Sequence, residues 1–173
     1  MEQKKPSKSE YIKQFERDEN GRYRYTGPTV QLSERWIQVS HRAFLMLAVS
    51  LVLQIIAGCL PAEVMKNTFY VIFPFGLGIG LTVLSIYHLY EVYEQFPAVP
   101  EYIWLKHGQS ITDCLIAQCI LCAVCAAGIL VYTLSHPLSI TVELLPALLE
   151  AVSAFLAWKA YRGIKEQEQA AKV

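Results

Sequence analysis

Two carboxylates, Glu143 and Glu150, stand inside the last long apolar run of the sequence. An ionisable side chain in such a run is costly and needs a reason. Seven residues apart, they lie two helical turns from one another on one face, with Pro146, Ala147, Ser153, Ala154 and Ala157. Leu144, Leu145, Leu148, Leu149, Val152, Phe155 and Leu156 form the opposite face. The pattern predicts a lipid-facing leucine surface backed by a small, polar, protein-facing one. Glu150 falls near the centre of its run and Glu143 near the outer end. A carboxyl group at mid-membrane is expected to keep its proton unless a cation pairs with it. In the preceding run Cys114, Gln118, Cys122 and Cys125 lie on one stripe, and Gln118 is the expected hydrogen-bond partner of Glu150. Ser50, Gln54, Thr82 and Ser85 are further candidates. Two uses fit: a proton or cation route through Glu143 and Glu150, or a neutral Glu150 bonded across helices to fix their packing.

A second constellation is His88 and Glu91, spaced i, i+3, with Asp113 at the base of the third run. This spacing suits a divalent ion or a proton relay at the inner face. It equally suits an interfacial histidine among the belt tyrosines Tyr87, Tyr90 and Tyr93. Cys119-x-x-Cys122-x-x-Cys125 has the spacing of a metal-ligand run. On a continuous helix, however, the three thiols fan out over about 120°, and no fourth ligand follows, so neither metal nor cofactor is expected. Ile56-Ala57-Gly58-Cys59 matches a lipoprotein processing box that would lipidate Cys59; the alternative is a helix end with Gly58 as cap and Pro61 as stop. Gly76-x-Gly78-x-Gly80, after Pro74, lacks the context of a phosphate loop and predicts a thin, kinked stretch approached by another helix. No nucleophile–base pair is evident, and no catalytic activity is expected.

The elements that would position these residues follow from composition. Of 173 residues, 54% are hydrophobic and only 17% charged, with fifteen basic and fifteen acidic side chains. That balance excludes a basic nucleic-acid-binding domain and an acidic disordered tail. The apolar residues are segregated into four runs, Ala43–Leu60, Thr68–Tyr90, Cys114–Leu134 and Leu138–Trp158. About 20 residues cross a bilayer core, so the runs predict an all-α, four-helix transmembrane bundle with spans near 41–60, 68–90, 112–134 and 138–160. Residues 1–40 then form an N-terminal segment, 41–161 the membrane domain and 162–173 a tail. The short connection after Ser135 makes the third and fourth spans antiparallel neighbours. Fourteen of the fifteen Lys and Arg residues fall at the end bearing both termini and the middle loop; only Lys66 falls at the other. The expected orientation is therefore both termini cytoplasmic.

In the N-terminal segment Ser7-Lys8-Ser9-Glu10 has capping-box spacing, and Tyr11, Ile12 and Phe15 share a helical face. A short amphipathic helix on the inner membrane surface is expected there. Asn20-Gly21 marks a turn, and the alternating stretch Arg22–Pro28 is too short for a sheet on its own. From Leu32 the pattern is helical, with Leu32, Trp36 and Val39 on one face and Ser33 as the cap of an interfacial lead-in.

Gly58-Cys59-Leu60-Pro61, then Asn67-Thr68-Phe69-Tyr70-Val71 with a proline in the next span, and Tyr23-x-Tyr25-Thr26-Gly27 resemble a pattern in small uncharacterised bacterial four-span membrane proteins. The resemblance covers about the first half of the chain. It implies a multi-pass protein of the bacterial inner membrane and carries no activity. The leading expectation is a non-catalytic accessory or assembly component of a larger membrane system, with the bilayer and a membrane-protein partner or second copy as its contacts, and no nucleic acid. The alternative is a small transporter or channel-like subunit using Glu150 and Glu143.

Overall fold

The computed structural model describes residues 14–17, 21–136 and 140–171. The protein is mostly helical (80%), and four of its helices are long and apolar enough to span a membrane. In chain order the elements are β1 (Phe15–Arg17), β2 (Tyr23–Tyr25), β3 (Thr29–Gln31), α1 (Glu34–Cys59), α2 (Val64–Asn67), α3 (Phe69–Glu94), β4 (Ala98–Pro100), α4 (Glu101–Ile103), a π-helical segment (Trp104–Gly108), α5 (Gln109–Ser135) and α6 (Ile140–Ala171).

The bundle is apolar on its outside as well as in its cores, and it encloses a polar layer. Leu45, Ile55, Phe73, Ile120, Leu148 and Phe155 are exposed, while Ser50, Gln54, Thr82, Ser85, Gln118, Glu150 and Ser153 are fully buried. An exposed apolar exterior this extensive needs lipid around it, and a polar interior needs internal partners. On α6 the expected division of faces is present: Ala147, Glu150, Ser153 and Ala157 point inward, Leu144, Leu145, Leu148, Val152 and Phe155 outward.

The helices are arranged in the order α1, α6, α5, α3 around the bundle. α5 packs on α6, α6 on α1 and α3 on α5 over long interfaces, whereas α1 and α3, consecutive spans, share a smaller one. An apolar core at one end joins Trp36, Leu47, Leu89, Val92, Val99, Ile111, Leu115, Ala160 and Ile164. A second core at the other end joins Ala62, Val64, Val71, Cys125, Ile129 and Ala147, so the α1–α3 connection is packed into the bundle.

Several local expectations are corrected. The N-terminal amphipathic helix falls mainly on residues outside those described, and Phe15, assigned to it, is in strand β1. The alternating stretch does pair: Phe15 faces Tyr25 and Arg17 faces Tyr23 in an antiparallel ladder. It does not stand alone, because the Tyr25 and Phe15 rings pack on Tyr102 at centroid distances of 5.1 and 5.8 Å. Gly21, with φ of 77°, takes the left-handed conformation expected of that turn. β3 pairs with β4, Val30 opposite Val99, tying the lead-in to the middle connection. The lead-in itself is the first turns of α1, so the division expected at residue 40 falls within one continuous helix. Ser33 occupies the N-cap position, but its hydroxyl donates to Gln167 Oε1 of α6 at 3.4 Å rather than capping the backbone.

Gly58 is not a left-handed cap, since Leu60, extended before Pro61, terminates α1. Instead a Cβ at Gly58 would stand 2.9 Å from the Phe75 ring, so glycine permits the close approach of α1 and α3 there. Of the three glycines after Pro74, only Gly78 faces a neighbour, Gln54 Nε2 at 3.4 Å and Cys122 Sγ at 3.7 Å from its notional Cβ; Gly76 and Gly80 face open space.

A buried polar core around Glu150

All four spanning helices contribute polar side chains to the bundle interior. From α1, Gln54 Nε2 donates to Cys122 Sγ of α5 at 3.1 Å, and Gln54 Oε1 accepts from Thr82 Oγ1 of α3 at 2.9 Å. The Thr82 hydroxyl also lies 2.9 Å from the Gly78 carbonyl one turn back, the shared bond available to a threonine in a helix. One turn before Gln54, Ser50 Oγ accepts from Gln118 Nε2 of α5 at 3.2 Å, and the Ser50 carbonyl accepts from Ser153 Oγ of α6 at 3.4 Å. The spacing Ser50–Gln54 and Gln118–Cys122 is i, i+4 on both helices, so two polar layers are stacked one turn apart.

Glu150 enters this core from α6. It is fully buried, and Cys122 and Cys125 stand beside its carboxyl group. The Cys122 thiol is the donor within reach of it, but neither carboxyl oxygen of Glu150 meets a donor in full hydrogen-bond geometry among the described residues. The expected bond to Gln118 is not made: Gln118 turns its amide nitrogen to Ser50 and leaves its own Oε1 unpartnered. Three buried oxygens therefore lack a full hydrogen bond among the described residues, whereas buried polar atoms are normally satisfied. The Glu143 side chain lies outside the described residues.

The second constellation is rearranged. His88 on α3 faces His107 of the π-helical segment, with Nδ1 to Nδ1 at 2.8 Å. One ring must donate and the other accept, so the facing atoms share a single proton. Tyr87 packs against both rings, at centroid distances of 5.4 and 5.7 Å, and Glu91 and Lys106 stand close by. Asp113, on the first turns of α5, is not part of a converging set with His88 and Glu91. Among the described residues no group of three His, Cys, Asp or Glu side chains is placed to hold a metal ion. The three-cysteine run splits as helical geometry requires: Cys122 and Cys125 are buried and Cys119 is half-buried.

Sequence reasoning missed His107. Its only signal is position within a connection that also carries Lys106, and nothing there announces a π-helical turn. Gln54 was discernible as one of two polar interruptions in its apolar run, but not as the residue linking α1 to both α3 and α5.

No protein-family model, curated protein or solved structure matches the chain.

Proposed function

We propose that this chain is a non-catalytic subunit of a larger membrane system in a bacterial inner membrane, with both termini cytoplasmic, and that it takes part in proton or cation movement through Glu150. The observation that carries the reading is a fully buried carboxyl group with neither oxygen in a full hydrogen bond among the described residues, in a core to which all four helices contribute. A glutamate kept only to fix helix packing would be bonded across helices, as Gln54 is. A fully buried carboxyl whose nearest donor is a thiol, with no full hydrogen bond among the described residues, supports a role for it in holding a proton or cation.

Glu150 is also the only carboxyl buried among the described residues. A route across the membrane needs further ionisable groups, and a partner membrane protein or a second copy supplies them. This joins the accessory role to the ion-handling one.

The test is flux in proteoliposomes prepared from the gently extracted complex, followed with an internal pH-sensitive dye and with cation substitution outside. Glu150→Gln is expected to abolish the flux while the subunit still assembles and elutes as the wild type does. Flux unchanged in Glu150→Gln overturns the ion-handling role. Purification of the chain with no partner and as a single copy overturns the subunit reading.

A further inference from the structure

At the α1 end that carries His41 and Arg42, a groove of about 610 Å³ opens between α1 and α3, lined by His41, Arg42, Phe44, Leu45, Ala48 and Ile86. It lies where two consecutive spans share the smaller of the helix interfaces. Tyr93 of α3 contacts two of the lining residues: its hydroxyl lies 3.0 Å from His41 Nε2 and its ring meets Phe44 edge-on at 6.0 Å.

The lining changes character along the helix. Arg42 is the last charged residue before Glu63, so it marks the point at which α1 turns wholly apolar. Leu45 and Ala48 follow one and two turns deeper along the helix, and both line the groove. Arg42 is exposed, and among the described residues it has no carboxylate partner. An exposed guanidinium at the edge of an apolar span matches a phosphodiester, and the apolar floor below it matches an acyl chain.

We propose that this groove is a binding site for an anionic phospholipid of the bilayer, its phosphate held by Arg42 with His41 alongside, and one acyl chain lying over Leu45, Ala48 and Ile86. The site is separate from Glu150 and does not depend on the role given to that residue.

Native mass spectrometry of the full chain, purified in mild non-ionic detergent and titrated with phosphatidylglycerol or phosphatidylcholine of identical acyl chains, tests the assignment. The wild type is expected to bind one phosphatidylglycerol in preference to phosphatidylcholine. Arg42→Gln should weaken phosphatidylglycerol binding roughly fivefold, the effect of one cation near anionic lipid, and bring the two lipids close together. Arg35→Gln removes the same charge two turns away and outside the groove, and should leave the preference intact. Leu45→Trp, at an exposed position, fills the groove and should weaken both lipids; it carries the test if Arg42→Gln does not fold. Equal binding of the two lipids by the wild type overturns the proposal. An Arg35→Gln effect as large as that of Arg42→Gln also overturns it, because a diffuse surface field would then be responsible.

Discussion

Gln54 and Thr82 are joined across α1 and α3 by a 2.9 Å hydrogen bond, and the other end of the same amide reaches Cys122 on α5 at 3.1 Å. One side chain thus uses donor and acceptor together to join three helices. Gln118, equally buried, makes one bond to Ser50 and leaves its oxygen unpartnered. The two glutamines should respond differently to the same substitution. Gln54→Met is expected to destabilise the bundle by about 1–2 kcal/mol, because it breaks two interhelical bonds and leaves Cys122 without its donor. Gln118→Met exchanges one bond for the removal of an unsatisfied oxygen and should stay within about 0.5 kcal/mol of the wild type. Unfolding titrated with SDS in mixed micelles, followed by circular dichroism, compares them. Equal losses at both positions would show that the unpartnered oxygen is satisfied in solution.

The spans and the inward face of α6 were legible because both follow from a single periodic pattern of residue type, which lipid imposes strongly. Partner choice inside the core was not. Whether Glu150 meets Gln118 or stands beside Cys122 depends on a fraction of a turn in the rotation of α5 and α6, and residue type does not specify that angle. The β3–β4 pairing was also hidden, since Val30 and Val99 are distant in sequence and each strand has only three residues. The π-helical segment widens one turn ahead of α5 and carries His107 to the inside; an ideal α-helical period gives no warning of that shift.

The glycines offer a local test of helix approach. Gly58→Ala places a methyl group against the Phe75 ring, whose nearest atom would be 2.9 Å away, so α1 and α3 must separate or the ring must move. A loss of about 1–3 kcal/mol is expected, the usual range for overpacking. Gly76→Ala and Gly80→Ala meet no atom within 4 Å. They should be neutral, or should stabilise α3 by up to about 1 kcal/mol through helix propensity. The same SDS titration reads all three variants. A destabilising Gly80→Ala would mean that the outer face of α3 is covered by another chain.

The orientation proposed for the chain has a direct check. Ser33 at the start of α1 bonds Gln167 near the end of α6, and the two termini of the described bundle thus meet at one end. Alkaline phosphatase fused after residue 171 should be inactive and a green fluorescent fusion there bright, with the reverse for fusions in the connection carrying Lys66. Substituting Lys for several polar residues around Lys66 should reduce insertion in the native orientation, since positive charge favours the cytoplasmic side. An active phosphatase at the C-terminal end would place that end outside and reverse the assignment.

The His88–His107 contact ties α3 to the segment that begins the third span, and its chemistry can be separated from its bulk. His107 is 4% exposed, so His107→Ala removes both a packed ring and the partner of His88 Nδ1, and a loss of about 2–3 kcal/mol is expected. Asparagine places an amide near the position of Nδ1 and can donate or accept there, so His107→Asn should recover about 1 kcal/mol of that loss. His88→Ala combined with His107→Ala should then cost less than the sum of the two single changes, because the contact is counted once. Strict additivity in that cycle, measured by the SDS titration, would show that the two rings are merely adjacent and that the π-helical segment is held by Trp104 and Ile103 in the apolar core.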